Sequence, residues 1–194
     1  MKITIFNLKG GQGKTTLSLA LATLYDCYIV TNDEYSPIDE VLEKGKTKHL
    51  EQDEELPSVP DEINLIYDFG GRPDTRVLAA ARSSDFVLVP VFYKSPLDMQ
   101  TTINAIREIE QHNPNIIIVV NMAQKDSLAQ ASEVLSQFFD YPIFEVKEST
   151  AFIRMIDQRK SIRKLMEDSF LFGYHYKKPL EQIEAIADYM FKDK

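Results

Sequence analysis

Lys9 to Thr16 reads KGGQGKTT and joins an apolar run (Ile3, Ile5, Phe6, Leu8) to a stretch whose apolar residues have helical spacing (Leu17, Leu19, Ala20, Leu21, Leu24). A strand that enters a glycine-rich turn and leaves as a helix has the geometry of a phosphate-binding loop. Glycines let backbone N–H groups approach a polyphosphate, and the helix N-terminus adds partial positive charge. The pattern GxxxxGK followed by Ser or Thr is met at Gly13, Lys14 and Thr15, but Leu8 stands where its first glycine belongs and a second lysine, Lys9, opens the loop. In such a loop the amides of Gly10, Gly11, Gln12, Gly13, Lys14, Thr15 and Thr16 cradle phosphates, Lys14 reaches the β- and γ-phosphate oxygens, and the Thr15 hydroxyl ligates Mg²⁺.

Outward from this loop, short apolar runs alternate with amphipathic stretches. The runs are 2–8, 27–31, 63–67, 86–91, 116–121 and 142–146, and helical spacing marks 15–25, 96–111 and 127–139. Near-continuous, β-branched runs suit strands covered on both faces. The order βαβα predicts a doubly wound, mostly parallel sheet flanked by helices, with ligands at the carboxyl ends of its strands, where Lys9 falls. Residues 45–62 are polar and acidic (Glu51, Asp53, Glu54, Glu55, Asp61, Glu62) with Pro57 and Pro60, and predict an exposed connection with little regular structure.

The 194 residues are expected to form one domain, enough to bury about 70 % of the unfolded chain's surface. With 22 Lys and Arg against 30 Asp and Glu, the net charge of −8 argues against a nucleic-acid surface over the whole molecule and leaves room for a local basic patch. A lone cysteine, Cys27, forms no intramolecular disulfide and suits a reducing setting. The apolar run at the N-terminus is too short for a secretory h-region and no stretch approaches a membrane span, so a cytoplasmic protein is expected.

Two carboxylates fall at strand ends. Asp68 closes the run 63–67 and precedes Phe69, Gly70 and Gly71, an arrangement that holds Mg²⁺ directly or through water in phosphate-loop enzymes, with the glycines leaving room for the γ-phosphate. Asp33 follows the run 27–31. A turn or N-cap aspartate is the alternative reading there.

With a lysine at each end, the loop resembles the deviant Walker A box of the ParA/MinD family of P-loop ATPases, and most closely the ParA-type partition ATPases. The segment DFVLVPVFYKSPLD at 85–98 resembles the same family, with Pro96 at a helix start and Ser95 as its cap, although Ser95 and Asp98 could instead shape a dimer interface. The resemblance implies an ATP-dependent sandwich homodimer in which Lys9 crosses to the partner's phosphates. Lys9, Lys14 and Asp33 are then the catalytic residues. The family carries two aspartates separated by one residue, the second tied to orienting the attacking water; here they are Thr31 and Asp33, and Glu34, Tyr35 and Ser36 replace the residues that usually follow. Asn121 ends a strand where such proteins often read the base, and the resemblance favours adenine because Met122, Ala123 and Gln124 make no guanine motif.

The resemblance further implies ATP and Mg²⁺ as cofactors, non-specific DNA binding on the nucleoid, and hydrolysis stimulated by a ParB-like centromere-binding protein. Arg154, Arg159, Lys160, Arg163 and Lys164 form the basic concentration that DNA contact would use, extended by Lys177 and Lys178; a solvated helix face is the plainer reading. Leu180, Ile183, Ile186, Ala187 and Met190 recur at helical spacing, but Glu181, Glu184 and Asp188 on the polar side argue for a helix packed on the sheet rather than on an anionic membrane. Alternative readings are an ATP-dependent small-molecule ligase of dethiobiotin synthetase type, a MinD-like positioning ATPase for another cargo, or a nucleotide-gated module with little turnover.

Overall fold

Strand Ile116–Ala123 (β6) shows why the apolar runs become buried strands: Ile117 and Val119 enter one core while Ile116, Ile118 and Val120 enter another. Side chains alternate across a pleated sheet, so a run apolar at every position needs cover on both faces. The computed structural model describes residues 1–70, 74–97 and 99–191, with the backbone alone at 170–172. Six further strands are Lys2–Ile5 (β1), Tyr28–Thr31 (β2), Thr47–His49 (β3), Leu65–Asp68 (β4), Phe86–Val91 (β5) and Ile143–Lys147 (β7). They pair in the order β3-β2-β4-β1-β5-β6-β7, and every pair is parallel. The sheet is therefore wholly rather than mostly parallel among the described residues.

Helix α1 (Lys14–Tyr25) and helix α8 (Phe170–Phe191) lie with α6 (Thr150–Asp157) and α7 (Ile162–Asp168) over the core that holds Ile3, Ile5, Ile29 and Ile117. Helices α3 (Arg76–Ser83), α4 (Met99–Ile109) and α5 (Ser127–Leu135) cover the core of Tyr67, Val87, Val89 and Ile118. The apolar stripe of α8 is buried at Leu180, Ile183, Ile186, Ala187 and Met190. Gln182 ties it to β7, accepting from the Lys147 N–H at 3.0 Å and donating to Glu145 at 3.1 Å. No helix among the described residues is long and apolar enough to cross a membrane.

Three local expectations are corrected. The acidic connection contains an edge strand, β3, because Thr47–His49 can pair in register with Ile29–Thr31. The short helix α2 (Ile38–Val41) precedes it. The first strand stops at Ile5, since Asn7 turns its side chain inward to the Pro90 carbonyl. Helix α4 starts at Met99, whose N–H donates to the Pro96 carbonyl across a turn, so Pro96 lies ahead of the helix rather than at its start. Asp98 and Gly71 lie outside the described residues.

Candidate functional site

Strand β1 lies between β4 and β5, with β2 on one side of the sheet and β6 on the other, so the chain order reverses at its carboxyl end. Register places Ile5 opposite Asp68, and Thr31 opposite the same aspartate from the other side. The loop that leaves β1 therefore starts beside the Asp68 carboxyl group. Its helix begins at Lys14, after Gly13 in the left-handed region (φ 80°).

Asn7 sets the entry. Its Nδ2 donates to the Pro90 carbonyl (2.9 Å) and Thr102 Oγ1 (3.3 Å), and its Oδ1 accepts the Lys9 backbone N–H (2.9 Å). Lys14 is buried, and its ammonium donates to the Asn7 carbonyl at 3.2 Å. Burial lowers the Lys14 pKa, and the nearby Asp68 carboxylate opposes that shift. Lys9, between exposed Leu8 and exposed Gly10, is half-buried at the outer edge.

Asp68 is 1 % exposed, and burial pushes its carboxyl up to about 6. Hydrogen bonds from Thr15 and Ser18 and the charge of Lys14 oppose the rise, while Asp33 adds to it. Among the described residues its buried Oδ1 has no hydrogen-bond partner. A hydroxyl and a carboxylate close together offer hard oxygen donors of the kind Mg²⁺ takes, and the orphaned oxygen leaves coordination capacity. Among the described residues no group of three or more His, Cys, Asp or Glu makes a protein-only metal site. A cation here would thus take Thr15 and Asp68 together with ligand oxygens.

The structure places Asn121 against the loop backbone. Strand β6 has a register irregularity between Asn121 and Ala123, with Met122 at φ 50°. The buried Asn121 donates from Nδ2 to the Gln12 carbonyl at 2.9 Å, and Gln12 Oε1 accepts the Phe92 N–H at 2.7 Å. A Cβ on Gly13 would stand 2.2 Å from Asn121 Nδ2, so glycine is needed there for close approach as well as for backbone angle. The base-reading role expected for Asn121 is joined by a strut role that no sequence spacing announces.

Asp33 sits in a tight turn: its N–H donates to Thr31 Oγ1 (3.1 Å), and its Oδ1 accepts the Tyr35 N–H (3.1 Å). It is close to Gly70, as a Cβ there would lie 3.6 Å from Asp33 Oδ2. Sequence reasoning missed Asn32, Asp74 and Arg76. Asn32 accepts the Gly70 N–H and donates to Asp74, and Arg76 grips Asp74. Their spacing does not mark them, because Asn32 is joined to Asp74 across 42 residues and Arg76 reaches the carbonyls of Glu51 and Glu54.

The basic residues are not on one helix face. Arg154 lies on α6, Arg159 takes φ 54° after it, and Arg163 and Lys164 are on α7. Arg159 pairs with Glu40 (3.2 Å), Lys160 with Asp168 (2.5 Å), Arg163 with Glu184 (2.7 Å) and Lys164 with Glu167 (3.3 Å). Arg154 is also engaged.

No family model and no curated protein sequence matches this chain. Solved structures do. McdA of Cyanothece in complex with ATP superposes with a TM-score of 0.64 at 15 % identity, covering 95 % of both chains. MinD of Pyrococcus horikoshii with Mg-ADP gives 0.64 at 16 %, covering 98 % of each. A ParA-family ATPase of Chlorobium tepidum gives 0.59 at 15 %, covering 94 % of this chain and 96 % of that one. At this identity the likeness establishes the fold, that of the P-loop NTPases to which these proteins belong.

Proposed function

We propose that this chain is a ParA/MinD-type positioning ATPase, which binds ATP with Mg²⁺ at Lys9–Thr16 and hydrolyses it. The observation that carries the reading is the buried Asp68 carboxyl group, one oxygen without a hydrogen-bond partner among the described residues, set beside Lys14 and Thr15 at the mouth of a glycine loop. The ATP complex of McdA and the Mg-ADP complex of MinD on the same fold support it. Mg-ATP, when bound, supplies the reacting phosphoryl group and a cation that spreads its charge. Lys14 shields the phosphate oxygens, Thr15 and Asp68 hold the cation, Asn121 and Gln12 keep the loop backbone in shape, and Asp33 orients the attacking water.

The working unit in this proposal is a nucleotide-dependent homodimer, with Lys9 neutralising charge at the partner's phosphates; contacts of that type accelerate phosphoryl transfer by about 10³ to 10⁵. Exposed Leu8, Tyr35 and Leu97 follow β1, β2 and β5 at the sheet's carboxyl edge, which suits a face that meets a second copy. DNA binding through Arg154, Arg159, Lys160, Arg163 and Lys164, and stimulation by a ParB-like partner, belong to the same proposal. The ion pairs of that cluster are exposed, so phosphate contacts can replace them at little cost.

The test is ATP turnover with and without DNA, together with nucleotide binding and light scattering. Lys14→Ala is expected to lose nucleotide binding. Lys9→Ala is expected to bind ATP but neither dimerise nor turn over, and normal turnover by Lys9→Ala would remove the cross-dimer role.

A further inference from the structure

The geometry points to Asn32 as a positioning residue for hydrolysis, one that sets the Gly70 backbone N–H against Asp33 by hydrogen-bonding Gly70 and Asp74 at once. Asn32 leaves the end of β2 between Thr31 and Asp33. Its two amide atoms go to different targets: Oδ1 accepts the Gly70 N–H at 2.7 Å and Nδ2 donates to Asp74 Oδ2 at 2.8 Å. Gly70 is two residues beyond Asp68, and a Cβ there would lie 3.4 Å from both Asn32 Oδ1 and Asp33 Cβ. The end of β2 and the chain leaving β4 are therefore packed to within van der Waals contact at this point.

Asp74 is itself immobilised. Arg76 donates to it from Nε (2.9 Å to Oδ1) and Nη2 (2.7 Å to Oδ2), and its backbone N–H adds a bond to Oδ1 (2.9 Å). Arg76 Nη1 then donates to the Glu51 and Glu54 carbonyls, both at 2.7 Å. A bidentate guanidinium–carboxylate pair, with side chains 17 % and 9 % exposed, gives Asn32 a fixed point to pull against. A primary amide meets both partners, since one end accepts from an N–H and the other donates to a carboxylate. Alanine meets neither, and aspartate meets Gly70 while placing a second carboxylate against Asp74.

This inference rests on the ATPase reading, because the step it serves is water attack directed by Asp33. The test combines steady-state ATP hydrolysis, ADP affinity and residue-resolved hydrogen exchange of the Gly70 amide in the full chain. Asn32→Ala is expected to lower kcat about tenfold, change KM and ADP affinity less than twofold, and speed Gly70 exchange at least tenfold. Asn32→Asp is expected to lose as much turnover, because it keeps the acceptor for Gly70 but faces the Asp74 carboxylate with a second one. Unchanged kcat and exchange in Asn32→Ala, or full turnover in Asn32→Asp, would overturn the role. If the unmodified chain hydrolyses no ATP, the ATPase reading fails, and Gly70 exchange alone then decides whether Asn32 does the holding.

Discussion

At the glycine loop, Asp68 is buried with an oxygen that no hydrogen-bond donor among the described residues meets, whereas across the molecule Arg159, Lys160, Arg163 and Lys164 each reach a carboxylate while remaining at the surface. The two arrangements differ in energetic sign. A buried polar atom left unpaired costs about 1–3 kcal/mol, so it persists where a ligand offsets the cost. Exposed ion pairs contribute roughly 0–1 kcal/mol and exchange partners readily. The loop leaves polar groups unsatisfied that a ligand can meet, and the basic cluster holds charges that can be redirected.

The largest effect that would break this contrast is expected from Gly13→Ala. The substitution forces a left-handed backbone on alanine and drives a methyl into Asn121, which is held by its bond to Gln12. Nucleotide affinity should fall at least 100-fold in a titration of a fluorescent ADP analogue. Retained affinity would mean that Asn121 can move without deforming the loop.

Asp68→Asn sharpens the comparison from the other side. Burial raises this carboxyl from 3.8 to about 6, so between those values the native chain binds a proton that the unfolded chain does not. The stability it contributes is full below about pH 4 and is lost as pH rises through about 6. At pH 7 the variant should be more stable without ligand by up to about 3 kcal/mol, with the pH slope flattened in urea titrations. It should also lose the Mg²⁺-dependent rise in Tm with ADP, which in the unmodified chain weakens below about pH 6. A variant less stable at pH 7 would mean that the hydrogen bonds from Thr15 and Ser18 outweigh desolvation.

Asn121→Ala separates the strut from base reading. A strut acts on the loop whatever base is bound, so ATP and GTP affinities should fall together, by about tenfold, roughly the worth of one buried hydrogen bond. Selective loss of ATP would return Asn121 to the base. The smallest effect is expected in the basic cluster. Arg163→Ala should change stability by less than about 1 kcal/mol. In ATP-dependent DNA binding it should reduce the salt-dependence slope by about 0.9, the value for one phosphate contact, and an unchanged slope removes Arg163 from the interface.

Much of this was legible in the chain. Phe86–Val91 is the same strand in sequence and structure because a continuous apolar run has few other ways to be buried, and Lys14 and Thr15 stand at the start of α1 because Gly13 ends the loop there. Thr47–His49 was illegible as a strand: its polar residues pair at the sheet edge, where backbone hydrogen bonding to β2 rather than apolar burial makes the strand. Arg159 and Arg163 looked like one helix face because their spacing is four, but the chain breaks at Arg159 between two helices.

Local order along the chain thus dictated the strand–loop–helix unit, the alternation of elements and the residues of the glycine loop, since these depend on neighbours a few positions apart. Assembly of the sheet added what distance in sequence hides. It set Asp68 beside Thr15 and raised its pKa by burial, brought Asn121 across more than a hundred residues to Gln12, and joined Asn32 to Gly70 and Asp74. Those contacts join residues at or just beyond the carboxyl ends of β2, β4 and β6 to one another, to the loop and helix that follow β1 and to the chain before α3, so they come into being only when the strand order β2-β4-β1-β5-β6 sets those ends side by side.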